Sequence, residues 1–102
     1  MYMTVSKLSR QSAEPCTQTD MDVILRALPT HAPYFAAFAA LQGLGKVIYR
    51  AGSINADNEV ETVTLYLTQQ DYIDFSATPE WAAFEADLLA IYNPIVFTEE
   101  QI

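Results

Sequence analysis

Few side chains in this sequence have a type and setting that could support catalysis. His31 is the only histidine, and it lies in a turn flanked by Pro29 and Pro33. A histidine can act as a general base, but a partner must fix the orientation of its ring. We therefore predict that His31 faces solvent or packs in its turn, and we assign no catalytic residue.

The acidic residues do not form a metal-binding pattern either. Asp20 and Asp22 lie at the start of a predicted helix, where carboxylates interact favourably with the helix dipole. Asp57, Glu59 and Glu61 alternate near a predicted hairpin tip but lack the other oxygen ligands of a calcium loop. We predict no metal ion and no cofactor.

Arg50 is the most informative single charge. On the mixed face of the predicted hairpin it can hold a carboxylate or stack on an aromatic ring. The competing interpretation, which the sequence favours, is an ion pair across the hairpin with Glu59 or Glu61. The candidate ligand-binding residues on this face are Arg50, Tyr66, Thr62 and Thr64.

Length and composition indicate one α+β domain over residues 1–102. Hydrophobic residues make up 51% of the chain and Gly and Pro are sparse, which indicates a packed core. No apolar run approaches the roughly 20 residues that cross a bilayer, and residues 1–10 lack a signal-peptide pattern. The single Cys16 cannot form an internal disulfide, so we predict a cytoplasmic protein.

Hydrophobic periodicity and helix caps predict the order β, α, β, β, α, β. Strands are predicted at 2–9, 46–54, 59–68 and 95–97. Helices are predicted from Thr19 to a stop at Pro29, from Pro33 to Gly43, over 69–76, and from the cap at Thr78 to Asn93-Pro94. This order is ferredoxin-like, a four-stranded antiparallel sheet with helices on one face.

The two faces of the central hairpin differ in character. Val63, Leu65 and Leu67 form an apolar face, which we expect to lie under the helices. The opposite face then carries Ile48, Arg50, Thr62, Thr64 and Tyr66. Two such sheets can bury these faces in one symmetric interface, so we predict a homodimer. A monomer with a half-solvated sheet is the alternative.

The second half of the chain resembles a known family. The strand at 61–67 is followed by Thr68-Gln69-Gln70-Asp71-Tyr72, Phe75, Thr78-Pro79 and a helix containing Trp81 and Phe84. Residues 46–97 are thereby similar to the antibiotic-biosynthesis-monooxygenase-like branch of the dimeric α+β barrel superfamily. The resemblance implies a dimeric α+β barrel. Phe75 stands where many such proteins have histidine, and Tyr66 or Leu67 where tryptophan is common, so no activity is carried over.

The charges are divided unevenly along the chain. All five bases lie at or before Arg50, and residues 51–102 contain ten of the thirteen acids. This polarity disfavours binding to nucleic acid or an anionic membrane and favours a basic partner protein. Our leading prediction is a non-enzymatic binding or regulatory protein that docks its acidic C-terminal half on such a partner. The predicted contact residues are Asp71, Asp74, Glu80, Glu85 and Asp87.

Two other functions remain open from the sequence. One is a small-molecule-binding or monooxygenase-like protein with a pocket between sheet and helices around Arg50 and Tyr66. It requires a cavity with a few polar groups. The other is a structural subunit of a larger assembly.

Overall fold

A four-stranded antiparallel sheet forms the centre of the fold in the computed structural model, which describes residues 1–25, 31–93 and 96–102. The strands are β1 (Tyr2–Leu8), β2 (Val47–Ile54), β3 (Val60–Tyr66) and β4 (Val96–Gln101). Their order in the sheet is β2-β3-β1-β4, so β1 and β3 are central. The helices are α1 (Gln18–Leu25), α2 (Ala32–Gly43), α3 (Gln69–Ser76) and α4 (Pro79–Leu89). The predicted ferredoxin-like plan is confirmed.

Local capping explains why the helices begin where the sequence predicts. The Thr68 hydroxyl accepts a hydrogen bond from the Asp71 N–H, and the Asp71 carboxylate accepts one from the Thr68 N–H, which starts α3. Thr78 caps α4, and Pro79 occupies its first turn. The predicted helix stops at Pro29 and Pro94 lie outside the described residues. No described helix has the length and apolarity to cross a membrane.

The helices cover the opposite face of β3 from the one expected. Thr62, Thr64 and Tyr66 are 5% exposed or less, whereas Val63 and Leu65 are only half-buried. The expectation that Val63 and Leu65 lie under the helices was therefore wrong, and so was the expectation that Thr62, Thr64 and Tyr66 form the face that meets a second copy. Alternation separates a strand into two faces, but it does not say which face is covered when both carry apolar groups.

A β-bulge in β2 brings Arg50 to the same covered side. Val47 pairs with Tyr66 and Tyr49 pairs with Leu65, so Ile48 is an extra residue without a counterpart on β3. A bulge of this kind reverses the alternation beyond it. Val47 and Arg50 consequently both face the helices, whereas an unbroken strand would place them on opposite faces.

The last strand is longer than predicted. β4 continues to Gln101, so Glu99 and Glu100 belong to the sheet, beyond the strand end predicted at residue 97. The Tyr2 hydroxyl donates a hydrogen bond to the Glu99 carboxylate at 2.9 Å. This bond links the side chains of β1 and β4, two strands that pair directly in the sheet.

A buried carboxylate joins the N-terminal loop to the segment after α4. Asp20 is 2% exposed and accepts hydrogen bonds from the Tyr92 hydroxyl at 2.6 Å, the Thr17 N–H at 2.7 Å and the Arg10 Nε–H at 3.2 Å. Burial acts to raise the pKa of Asp20, but the hydrogen bonds outweigh it and hold the pKa below its usual value. Asp20 therefore connects two separate segments of the chain through buried hydrogen bonds, in addition to lying in the first turn of α1.

Replacement of this carboxylate should destabilise the fold. We expect Asp20→Asn to lower the free energy of unfolding at pH 7 by about 2 kcal/mol, because a charge-assisted buried hydrogen-bond network is broken. A pKa lowered by folding gives stability that is complete above the unfolded-state value of about 4 and decreases as the pH falls below it. Urea unfolding should thus show the difference between wild type and variant shrinking from pH 7 to about pH 3.

Glu14→Gln is the matched control. Glu14 also accepts a hydrogen bond from Arg10, at 3.1 Å, but its side chain is 68% exposed. Exposed pairs contribute little, so we expect a change of less than about 0.5 kcal/mol. Equal losses in the two variants, or a wild-type to Asp20→Asn difference that does not change with pH, would contradict the assignment.

Candidate functional site

A cavity of about 50 Å³ lies between the sheet and the helices. Its floor is made by side chains of the sheet, and all four candidate ligand-binding residues line it. Its roof is made by aromatic side chains of α2 and α4. The polar floor contains Thr4, Ser6, Arg50, Thr62, Thr64 and Tyr66, and the roof contains Tyr34, Trp81 and Phe84. We refer to this space as the inner cavity.

Arg50 is held in one orientation by neutral partners. Its Nε–H donates to the Thr64 hydroxyl at 2.9 Å, and Nη1 donates to the Tyr34 hydroxyl at 3.1 Å. Its Cζ lies 3.8 Å from the centroid of the Phe38 ring, a cation–π contact. The favoured sequence interpretation, an ion pair with Glu59 or Glu61, is wrong because those acids are engaged by Asn55 and Lys7, respectively.

Two hydroxyl groups of the inner cavity have no hydrogen-bond partner among the described residues. They are Thr62 Oγ1 and Tyr66 Oη, and both side chains are at least 95% buried. Burial raises the pKa of Tyr66 to about 12, and the positive charge of nearby Arg50 opposes that rise. Tyr66 Oη nevertheless has no partner in hydrogen-bonding geometry among the described residues. The phenol is therefore protonated at neutral pH and can donate a hydrogen bond into the cavity.

The aromatic roof is a packed cluster. The Tyr34 ring stacks on Phe84 with centroids 4.2 Å apart and on Phe75 at 5.4 Å. Trp81 meets Phe75 edge to face at 5.2 Å and donates its indole N–H to Glu85 at 3.0 Å. Such contacts restrict ring movement, so the roof keeps a defined distance from the polar floor.

A wider groove of about 300 Å³ lies beside the inner cavity, and Arg50 lines both spaces. The other residues of this groove are Leu25, Phe35, Phe38, Ala39 and Gln42. Its walls are mainly apolar, and it is more open to solvent than the inner cavity. We refer to it as the outer groove. The sequence did not predict it, because it depends on how α1 and α2 approach β2.

The predicted docking acids of α3 serve the protein's own structure. Asp71 belongs to the capping box with Thr68 and lies 4.0 Å from the Lys46 amine. The Asp74 carboxylate accepts a hydrogen bond from the Gln70 amide at 2.7 Å. Both carboxylates are thus already engaged within the chain.

The predicted docking acids of α4 are placed similarly. Glu80 lies in the first turn, where the helix dipole favours a negative charge. Glu85 accepts the hydrogen bond from Trp81 and lines the inner cavity. Asp87 lies 2.9 Å from His31 Nε2. The side chains form local contacts and give no support to a shared docking face.

His31 and Cys16 occupy packing positions. The His31 ring is 12% exposed, pairs with Asp87, and meets the Phe84 ring edge to face at 4.9 Å. Cys16 is buried, with its thiol 3.5 Å from the Leu8 carbonyl oxygen. Within the described ranges, no three His, Cys, Asp or Glu side chains cluster as a metal site would need.

The fold of this chain is shared by solved structures of very different sequence. SnoaB from Streptomyces nogalater, a cofactor-independent oxygenase, matches 99% of this chain and 91% of its own with a TM-score of 0.63 at 10% identity. Protein SO0527 from Shewanella oneidensis matches 97% and 87% with a TM-score of 0.67 at 9% identity. An antibiotic biosynthesis monooxygenase matches 100% and 98% with a TM-score of 0.60 at 7% identity. No protein-family model and no curated protein matches the sequence.

These likenesses correct the leading functional prediction. Docking of an acidic half on a basic partner was wrong: the solved structures that share the fold match the monooxygenase-like alternative. The resemblance inferred from residues 46–97 is confirmed as a likeness of fold that extends over nearly the whole chain. The protein therefore has the α+β fold of the antibiotic-biosynthesis-monooxygenase-like proteins.

Proposed function

We propose that this protein binds a small organic molecule between its sheet and its helices, as a monooxygenase-like protein. The observation that carries the proposal is the pair of unpartnered hydroxyls, Thr62 Oγ1 and Tyr66 Oη, in the inner cavity. A buried polar group without a partner costs about 1–3 kcal/mol. Folded proteins retain few such groups, and a ligand oxygen or nitrogen in the cavity would satisfy both.

The proposed roles follow from hydrogen-bonding capacity. Tyr66 donates to a ligand oxygen, since its raised pKa keeps it protonated. Thr62 donates or accepts beside it, and Thr64 fixes the Arg50 side chain through the bond to Nε. Arg50, which lines the cavity, supplies positive charge. No residue is assigned as catalytic.

Oxygenation is the reaction to assay once a ligand is known. The proposal draws on the oxygenase and monooxygenase names of the proteins that share the fold. Oxygen consumption in the presence of the bound ligand tests this part separately from binding. Binding without oxygen consumption would support a carrier or sensor role for the same cavity.

A homodimer through the open face of the sheet is part of the proposal. The face turned away from the helices carries apolar side chains that are only partly covered by the chain itself. Cross-strand pairs define this face as Met3, Val5, Tyr49, Ala51, Val63 and Leu65. A second copy would bury these side chains in a symmetric interface.

The cytoplasmic location of the protein remains a prediction.

Removal of the Tyr66 hydroxyl should have opposite effects on stability and on binding. We expect Tyr66→Phe to leave the unfolding free energy of the ligand-free protein unchanged or to raise it by up to about 1 kcal/mol, because an unsatisfied group is removed. The same variant should bind the best compound of a fragment screen about tenfold more weakly, since one hydrogen bond is lost. Chemical denaturation and isothermal titration calorimetry measure the two effects.

Tyr2→Phe is the matched control, because the Tyr2 hydroxyl is already bonded to Glu99 and does not line the inner cavity. It should lower stability by about 1 kcal/mol and leave ligand affinity unchanged. A crystal structure with ordered water on both Thr62 and Tyr66, together with no binding from the fragment screen, would overturn the proposed function.

A charge on the open sheet face should separate the dimer. Wild-type protein is expected to have about twice the 11.4 kDa mass of one chain in light scattering. Leu65→Glu should give the single-chain mass with unchanged circular dichroism, because two symmetry-related carboxylates would be buried together. Ile73→Glu, at an exposed apolar position of α3, is the control and should remain dimeric. A monomeric wild type would refute the dimer and leave the cavity proposal untouched.

A further inference from the structure

We infer that the ligand of the inner cavity is an organic carboxylate whose apolar body extends into the outer groove. Its carboxylate contacts Arg50, with Tyr66 and Thr62 as further donors, and its body lies along Phe38. The inference rests on the proposed function, because it identifies the chemical class of the molecule that occupies the cavity. It combines the charge of Arg50 with the sizes of the two spaces that Arg50 lines.

Arg50 differs from the other described bases in having no acidic partner. Lys7 lies 3.7 Å from Glu61, and the Arg10 Nε lies 3.2 Å from Asp20. Lys46 lies 4.0 Å from Asp71. No described carboxylate lies within 4.0 Å of the Arg50 guanidinium, although the chain has 13 acids and a net charge of −8.

An uncompensated, half-buried guanidinium is unfavourable in the absence of an anion. Taking a cation out of water costs free energy that hydrogen bonds to neutral oxygens restore only in part. Acids are abundant in this chain, yet Arg50 faces the hydroxyls of Thr64 and Tyr34 and the ring of Phe38. The charge is thus kept available for a partner from outside the chain.

The geometry of Arg50 suits a planar anion. Two of the five guanidinium N–H donors are used by Thr64 and Tyr34, so the fork is fixed while other donors remain. Carboxylates bind such a fork through two parallel hydrogen bonds. Arg50, Tyr66 and Thr62 together line the same cavity and place donors around one small volume.

The sizes of the two spaces suit a ligand with a small carboxylate head in the inner cavity and a larger apolar body in the outer groove. An apolar cavity of roughly 150 Å³ holds benzene, so the inner cavity of about 50 Å³ is too small for a ring. It is large enough for a group of a few atoms such as a carboxylate. The outer groove of about 300 Å³ is large enough for an aromatic or aliphatic body, and Phe35 and Phe38 offer it apolar contact.

Glu85 is the acidic residue that lines the inner cavity together with Arg50 among the described residues. Its carboxylate accepts the indole N–H of Trp81 at 3.0 Å. Repulsion from Glu85 directs an anionic head towards Arg50. The inference therefore predicts opposite effects from the two residues when each charge is removed.

Phenylacetate and its neutral analogue phenylacetamide are the probes, because they differ only in the charge and donors of the head. Calorimetry with the wild type should show phenylacetate binding at least about tenfold more tightly than phenylacetamide. Arg50→Gln should remove that difference, because phenylacetate loses a charge-assisted contact and is weakened far more than phenylacetamide. Glu85→Gln should strengthen phenylacetate about threefold and leave phenylacetamide unchanged.

Arg50→Lys covers the case in which Arg50→Gln does not fold. It keeps the positive charge but loses the planar fork, so phenylacetate affinity should fall between those of wild type and Arg50→Gln. Equal affinity of the wild type for the two probes would overturn the inference even without a variant.

The outer groove is tested by a bulky substitution on its wall. Ala39→Trp should weaken phenylacetate about tenfold, because the indole occupies the space of the ligand's ring. Acetate, which has a head and no body, should shift the Arg50 Nε–H signal in NMR spectra equally in wild type and variant. Ala36→Trp, at an exposed position of α2 outside the groove, is the control and should change neither.

The outcomes separate this inference from the proposed function. If neutral and anionic probes bind the wild type equally and Tyr66→Phe weakens both, the cavity binds a ligand and the carboxylate assignment is wrong. If no compound of either class binds, the proposed function itself fails. If phenylacetate binds but Ala39→Trp has no effect, the body does not lie in the outer groove and the inference is overturned.

Discussion

The extra residue in β2 determines what the two sides of the sheet present. Because Ile48 has no counterpart on β3, Val47 and Arg50 both point to the helices. Without the bulge, a residue three positions from Val47 would lie on the open face. The bulge thus places one positive charge beside Thr64 and under Tyr34. The same reversal sends Tyr49 and Ala51 outward, where they continue the apolar open face with Val63 and Leu65.

The covered side of the sheet is unusual for a small protein in being partly polar. Thr4, Thr62 and Thr64 are each at least 94% buried, in positions where aliphatic side chains would pack more simply. Their hydroxyls line a space that the aromatic side chains of the helices do not fill. The stability of the protein therefore depends on the packed aromatic roof and on junctions such as Asp20, while Thr62 Oγ1 and Tyr66 Oη on the floor have no hydrogen-bond partner among the described residues.

The sequence predicted those features that depend on neighbouring residues. The capping groups Thr68 and Thr78 fixed the starts of α3 and α4, and the alternation in β3 identified its two faces correctly as sets. Features that depend on distant contacts were missed. Nothing in the strand pattern signals the bulge at Ile48, the burial of Asp20, or which set of β3 residues the helices cover. The docking prediction failed because it counted charges along the chain. In the fold, the Glu85 carboxylate accepts a hydrogen bond from Trp81 and the Asp87 carboxylate contacts His31.

The strand order has a consequence for how quickly the chain can fold. β1 is central, and Tyr2 pairs with Tyr66 on one side and with Gln101 on the other. Both pairings join residues that are far apart in the chain. The conformational entropy of a long loop must therefore be lost before these contacts can stabilise the fold. Among the described strands, the hairpin of β2 and β3 is the one pair made between neighbours in the chain, and it offers a local starting point. During synthesis, β1 emerges first and has exposed edges until its partners arrive.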